Sequence, residues 1–248
     1  MQNVPVVVKI GGNDLETEGF LDHLAEAVAH VVQRRPCVLV HGGGKTVSRL
    51  LRQVGIEPVY VRGQRVTTPE ALDVVEMALS GLVNKRITLT LLRHGVDAQG
   101  LSGVDRGLLR VQPWGEDMGR VGRIVEVRAE VLTALFAAGV VPVVSPISQG
   151  SEGSYNVNAD HAASAIAATL EAEYAMFLTN VPGVLVGEEV AARLTVTEAQ
   201  DLIARGVIHG GMIPKVNAAL EAVRQGVRKA IITNLGGLET GTGTVFTA

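Results

Sequence analysis

Two stretches decide the fold: Val4-Pro5-Val6-Val7-Val8-Lys9-Ile10-Gly11-Gly12 and Cys37-Val38-Leu39-Val40-His41-Gly42-Gly43-Gly44. Each is a short run rich in β-branched residues that stops at glycine, the pattern of a strand buried on both faces and closed by a tight turn. Between them Leu21, Leu24, Ala25, Val28, Val31 and Val32 recur at helical spacing, and residues 47–54 repeat that spacing after the second turn. Strand, glycine turn and helix, twice over, predict an α/β protein. Its core is an open, mainly parallel central sheet sandwiched between helices.

The alternation resumes downstream. Residues 140–145 read as a strand, 160–170 as an alanine-rich helix, 174–178 as a strand, 215–225 as a helix and 230–233 as a strand, with 244–247 as an edge strand. Residues 101–128 differ, because Gly103, Gly107, Gly115, Gly119 and Gly122 interrupt short β-like pieces. That pattern predicts antiparallel hairpins forming a lid over one end of the sheet. Residues 69–79, with Leu72, Val75, Glu76 and Leu79 on one side, are a candidate dimer helix. No repeat or Pro/Ser-rich linker divides the chain, so residues 1–248 are expected to form one domain with two lobes of a continuous sheet.

Composition narrows the partners. The 248 residues carry 22 Lys and Arg against 25 Asp and Glu, a net charge of −3. Such a balance lacks the basic footprint of a nucleic-acid binder. Aromatic residues make up only 3% of a chain that is 47% hydrophobic, so the core must be Val, Leu, Ile and Ala. The single cysteine, Cys37, excludes a disulfide framework and a cysteine metal site, and fits a reducing cytoplasm. No apolar run approaches the roughly 20 residues of a membrane span. Met1, Gln2 and Asn3 lead straight into the first strand without a signal peptide. Glycine is the outlier: 29 of 248 residues is about 12%, against a usual level of about 7%.

Three glycine clusters stand where strands end: Gly11-Gly12, Gly42-Gly43-Gly44, and Gly183 in Asn180-Val181-Pro182-Gly183. Ligands of open α/β sheets bind beyond the carboxyl ends of the strands, where glycine lets backbone amides approach an anion. Familiar motifs do not explain them. Gly44-Lys45-Thr46 lacks the first glycine of a P-loop, that place being Leu39. No dinucleotide fingerprint follows the first strand, and no G-x-S-x-G nucleophile accompanies His41-Gly42-Gly43-Gly44.

The charged residues that need explaining are few. Lys9 interrupts an apolar strand, and Lys215, in Gly210-Gly211-Met212-Ile213-Pro214-Lys215, opens a helix where a cation is electrostatically misplaced. Asp160 begins the alanine-rich helix, and Arg65 lies in Gly63-Gln64-Arg65-Val66-Thr67. Two lysines, amide cradles and an organising carboxylate suit phosphoryl transfer, which needs positioning and charge neutralisation. The six histidines offer no clear general base. A carboxylate acceptor would need none, being ionised already at neutral pH.

These motifs, together with Asn156-Val157-Asn158-Ala159-Asp160 and Asn180-Val181-Pro182-Gly183-Val184-Leu185, resemble the amino acid kinase family, and within it most closely the acetylglutamate kinases. The resemblance implies that Lys9 and Lys215 stabilise the transferring phosphoryl group and that Asp160 holds both lysines. Gly12, Gly43 and Gly44 would supply amides to the phosphoryl and acceptor groups. Arg65 and Asn156 would bind acetylglutamate, with Asn158 in support. Asn180, Val181, Pro182, Gly183, Val184 and Leu185, with Val207, Ile208 and His209, would form the nucleotide pocket. The implied cosubstrate is ATP with Mg²⁺ riding on its phosphates, no metal being held by the protein itself. Residues 1–172 would be the acceptor lobe and 173–248 the nucleotide lobe.

The resemblance also implies a cytoplasmic homodimer that arginine does not regulate, since the first strand begins by Val4. Two rival readings share the fold. One is a kinase for carrier-linked aminoadipate, whose acidic carrier Arg106, Arg110, Arg120, Arg123 and Arg128 could meet; the other is a non-catalytic nucleotide sensor. The acceptor that takes phosphate separates the first, and retention of both lysines speaks against the second.

Overall fold

The computed structural model describes residues 4–12, 14–61 and 63–248; the reading of Met1, Gln2 and Asn3 lies outside them. Strand β1 (Val6–Ile10) pairs in parallel with β2 (Cys37–His41) on one side and with β10 (Ala175–Leu178) on the other. Lys9 therefore sits in the middle of the sheet, not at an edge. The sheet continues in parallel through β14 (Ala230–Thr233) on one flank and β8 (Val141–Gly150) on the other.

Helices cover both faces because β1 alternates. Val7 packs into a cluster with α6 (Ala159–Thr169) and α8 (Met212–Arg224), through Ala162, Ala163, Ile166, Val216 and Leu220. Val6, Val8 and Ile10 face the opposite cluster, built from α1 (Phe20–Val32), α4 (Asn84–Arg93) and α9 (Leu235–Thr240). With Ala162, Ala163 and Ala167 fully buried, α6 packs closely against the sheet. Small aliphatic side chains fill most of this core, with Tyr155, Phe177 and Phe246 as its buried aromatics. Among the described residues no helix is long and apolar enough to cross a membrane.

Three expectations change. Strand β15 (Thr244–Thr247) is not an edge strand: it lies between β14 and β13 (Arg193–Thr195), which forms the edge. Within residues 101–128 an antiparallel hairpin is present, β6 (Leu109–Pro113) with β7 (Gly122–Val127), but it prolongs the sheet. The preceding β5 (Ala98–Gly103) is parallel to β8. The hairpin that faces the ligand side is smaller, β3 (Tyr60–Val61) with β4 (Gln64–Arg65).

The third change concerns residues 69–93. Thr68 caps α3 (Pro69–Glu76), its side chain accepting from Ala71 N, and Pro69 takes the first helical position. The helix then passes through a π-helical segment (Met77–Val83) directly into α4. Leu72, Val75 and Leu79 are buried within the chain, so they cannot serve a dimer surface. Met77, Leu89 and Leu92 are the exposed apolar residues of this run.

Candidate active site

The carboxyl ends of β1, β2 and β10 converge on a cleft of about 1150 Å³. Parallel strands send their following turns to the same side, so both glycine turns face it. Lys9, Asp160, Lys215, Gly12, Gly43, Gly44, Arg65, Asn156, Asn158 and Asn180 all line it. The two turns interlock. A Cβ on Gly12 would stand 2.7 Å from Gly44 N and 2.9 Å from Gly43 N, so only glycine lets the turns approach this closely.

Opposite signs are paired at the floor. Lys9 Nζ lies 2.7 Å from Asp160 Oδ1, the two side chains being 17% and 27% exposed. Partial burial makes that pairing necessary for a lysine in a central strand. Asp160 is fixed in turn by its helix start: Asn158 caps α6, its Oδ1 accepting from Asp160 N at 2.7 Å. The side chain of Asn158 is thereby committed to shaping this corner.

Lys215 is held differently from the expectation. Its Nζ donates to Thr179 Oγ1 at 2.8 Å and to Asn180 Oδ1 at 3.5 Å; among the described residues Asp160 pairs with Lys9 alone. Burial pushes the Lys215 ammonium below its usual range, Asp14 opposes that shift, and the like charge of Lys9 adds to it. Asp14 is raised by burial against the pull of Lys215, Lys9 and Lys45. The cleft thus gathers three cations around one further carboxylate.

On the acceptor side, Arg65 Nη2 donates to Tyr60 Oη at 2.6 Å, Ser48 Oγ at 2.8 Å and Gly44 O at 3.0 Å. Its guanidinium also lies 4.8 Å from the centre of the Tyr60 ring. The other terminal nitrogen, Nη1, is buried with no partner among the described residues. Burial lowers the Arg65 pKa, with Tyr60 opposing, yet an arginine stays charged. A buried, charged donor without an acceptor is costly unless a ligand supplies one. Asn156 Nδ2 donates to Thr67 Oγ1 at 3.1 Å beside it.

Asn180 is the member of the expected nucleotide set that reaches this cleft. Gly183 is backed by Thr244 and Val190, a Cβ there meeting Thr244 Oγ1 at 2.6 Å. Val184 and Ile208 are core residues, while Leu185 belongs to an exposed hairpin, β11 (Leu185–Val186) with β12 (Glu189–Val190). Val181, Pro182, Val207 and His209 also stand outside the cleft lining. Sequence reasoning passed over Asp14, Thr179, Ser48 and Tyr60. Thr179 directly follows a buried strand, and Ser48 is one helical turn beyond Gly44, so both positions carried a signal. Tyr60 reaches Arg65 through the hairpin alone.

His41 ends β2 fully buried, and burial pushes its pKa down to about 4. Above the unfolded value of 6.5 both states are neutral and the group contributes nothing. As pH falls below 6.5 the unfolded chain takes up a proton that the native chain refuses, so stability drops until about pH 4. Between pH 7 and pH 5 this amounts to about 2 kcal/mol. Urea unfolding of the wild type and His41→Asn at both pH values should show that extra loss in the wild type only. Equal losses would contradict the burial of a neutral imidazole.

Comparison with known proteins gives the family. The model of the "Amino acid kinase family" matches residues 5–234. An acetylglutamate kinase of Roseiflexus sp. (strain RS-1) is 52% identical over 238 residues, covering 94% of this chain and 90% of the relative. That of Chloroflexus aggregans is 46% identical over 245 residues, covering 97% and 95%. The crystal structure of smu.665 from Streptococcus mutans UA159 superposes with a TM-score of 0.83 at 30% identity, covering 98% of both chains. Paired lysines above interlocked glycine turns, on this sheet and across nearly the whole length, leave one conclusion: the chain belongs to the amino acid kinase family.

Proposed function

We propose that the protein transfers the γ-phosphoryl group of ATP to the side-chain carboxylate of N-acetyl-L-glutamate, giving the acyl phosphate and ADP, a step of arginine biosynthesis. The observation that carries this reading is Arg65, a half-buried guanidinium that lines the same cleft as the glycine turns, Lys9 and Lys215, and whose Nη1 finds no partner among the described residues. A planar fork of donors suits an α-carboxylate. Asn156 beside it suits the acetamido group.

The reaction then needs little from the protein beyond placement. A carboxylate oxygen forms the new P–O bond as the bond from phosphorus to the β–γ bridging oxygen breaks, and ADP leaves with that electron pair. No proton is removed from the acceptor. Lys9 and Lys215 take the charge that spreads over the phosphoryl oxygens, and the Gly12, Gly43 and Gly44 amides face the same space. Asp160 keeps Lys9 aimed, and Thr179 keeps Lys215 aimed.

ATP brings Mg²⁺, which would neutralise phosphate charge and orient the leaving group. Among the described residues no group of three or more His, Cys, Asp or Glu forms a metal cage. Asp14 and Asp160 are the carboxylates lining the cleft that a phosphate-borne cation would meet. We assign residues 173–248 to the nucleotide and 1–172 to the acceptor. Asn180, Val181, Pro182, Gly183, Val184 and Leu185, with Val207, Ile208 and His209, would hold the nucleotide beyond the Lys215 end of the cleft.

A cytoplasmic homodimer completes the proposal. Buried, unpaired Cys37, its thiol pushed up to about 12 by burial, suits a reducing compartment. Exposed Met77, Leu89 and Leu92 keep the helix run of residues 69–93 as the dimer element through different side chains. The arginines that could meet an acidic carrier are partly neutralised: Arg110 pairs with Glu126, Arg120 with Glu152 and Arg128 with Glu130. The deciding experiment supplies ATP with acetylglutamate, free aminoadipate or carrier-linked aminoadipate. ADP release with acetylglutamate is expected; turnover confined to the carrier-linked acceptor, or none with any acceptor, would overturn the reading.

A further inference from the structure

Behind the second glycine turn lies a buried polar cluster to which the chemistry above gives no task. His41 and Asn84 are both fully buried. Asn84 opens α4, directly after the π-helical segment. Its Nδ2 lies 2.8 Å from Val143 O, 3.2 Å from Leu101 O and 3.1 Å from His41 Nε2. Two of those partners are carbonyls, which only accept, so this atom must be the amide nitrogen and His41 Nε2 must accept as well. Lys85 Nζ donates to the amide oxygen at 3.1 Å and confirms its orientation.

The proton of His41 therefore sits on Nδ1, which donates to Gly42 O at 2.9 Å. This tautomer fits every contact, the two Asn84 amide hydrogens being shared among three acceptors, and donation runs from Asn84, anchored on carbonyls of β5 and β8, through His41 to the glycine turn. Gly42 O and Gly43 N belong to the same peptide unit. In a planar trans peptide the C=O and N–H point in opposite directions, and the described residues contain no cis bond. Holding the oxygen toward the core therefore turns the Gly43 N–H away from it, toward the cleft. From the other side, Leu79 and Val83 of the π-helical segment pack on Gly43, where an added Cβ would meet Leu79 Cδ2 at 2.7 Å. π-Helical turns are rare and gather at functional sites.

We propose that His41 and Asn84 are positioning residues for phosphoryl transfer: their buried bonds set the Gly42–Gly43 peptide so that its N–H meets the anionic group in the cleft. This rests on the reading of the glycine amides given under Proposed function. Two substitutions of His41 separate positioning from packing. In His41→Asn the amide nitrogen replaces Nδ1 and can still donate to Gly42 O. In His41→Gln the amide reaches the Nε2 place, meeting Asn84 but leaving Gly42 O without its donor.

Assayed with ATP and acetylglutamate, His41→Gln is expected to lose about 10–100-fold in kcat, the scale of a misplaced catalytic donor. The KM for ATP should stay within about threefold, because the lysines and the nucleotide end are untouched. His41→Asn should retain kcat within about fivefold of the wild type. Asn84→Ala, which frees the imidazole to turn, should fall between them. Melting temperatures and far-ultraviolet circular dichroism report folding separately. Equal kcat in folded His41→Gln and wild type, or equal losses in His41→Asn and His41→Gln, would overturn the proposal. If the wild type itself phosphorylates no acceptor, the proposed function falls instead, so the two failures are distinguishable.

Discussion

Lys215→Ala should lower kcat by about 10²–10³-fold, the effect of removing one donor aimed at developing charge, and should leave the fold intact. Lys215 Nζ is tied to Thr179 Oγ1 and Asn180 Oδ1, neutral groups on the cleft wall, so its removal breaks no ion pair; Asp14 loses one opposing cation but keeps Lys9 and Lys45. Lys9→Ala should cost as much in kcat and more in stability, because Asp160 would lose its partner at 2.7 Å. Steady-state kinetics and melting curves on both variants would check this. Turnover within about threefold of wild type in Lys215→Ala would remove the lysine from the reaction.

Arg65→Lys should raise the KM for acetylglutamate by about 10–100-fold, the cost of a charge-assisted hydrogen-bond pair, while moving kcat far less. Arg65 already spends Nη2 on Tyr60, Ser48 and Gly44, and its shielded Nη1, unpaired among the described residues, would have to turn to meet an acceptor in the cleft. A lysine is a point charge and cannot do both at once. An unchanged KM would mean that the orphaned nitrogen serves no acceptor. A fall in kcat as large as the rise in KM would place Arg65 among the groups that act in the transition state.

Much of this site can be read from the residues alone, and the reason is local. A strand that ends in glycine announces both itself and the loop that follows, so β1 and β2, with Lys9 and the two turns, are visible in nine-residue windows. Lys215 is visible because a cation in a first helical turn contradicts the helix dipole. What is hidden depends on distant pairings. Residues 77–83, Met-Ala-Leu-Ser-Gly-Leu-Val, have ordinary helical spacing, and nothing in that spacing marks the π-helical turn or its contact with Gly43. Asn84 finds its carbonyl partners 17 and 59 residues away. The place of residues 244–247 depends on whether residues 193–195 pair outside them, which no short window contains. Strand periodicity fixes which face a residue takes, but not which strand lies next to it.

The two lysines are mounted unlike each other, and that difference is one of stiffness. Lys9 rises from a central strand hydrogen-bonded on both sides and is clamped by a carboxylate that is itself fixed at a helix cap. Lys215 stands in the first turn of a helix, steadied by a hydroxyl and an amide oxygen. A phosphoryl group crossing between donor and acceptor would meet one rigid jaw and one compliant jaw. In the proposed transfer the fixed cation would define where the group passes, and the yielding cation would follow it as it moves.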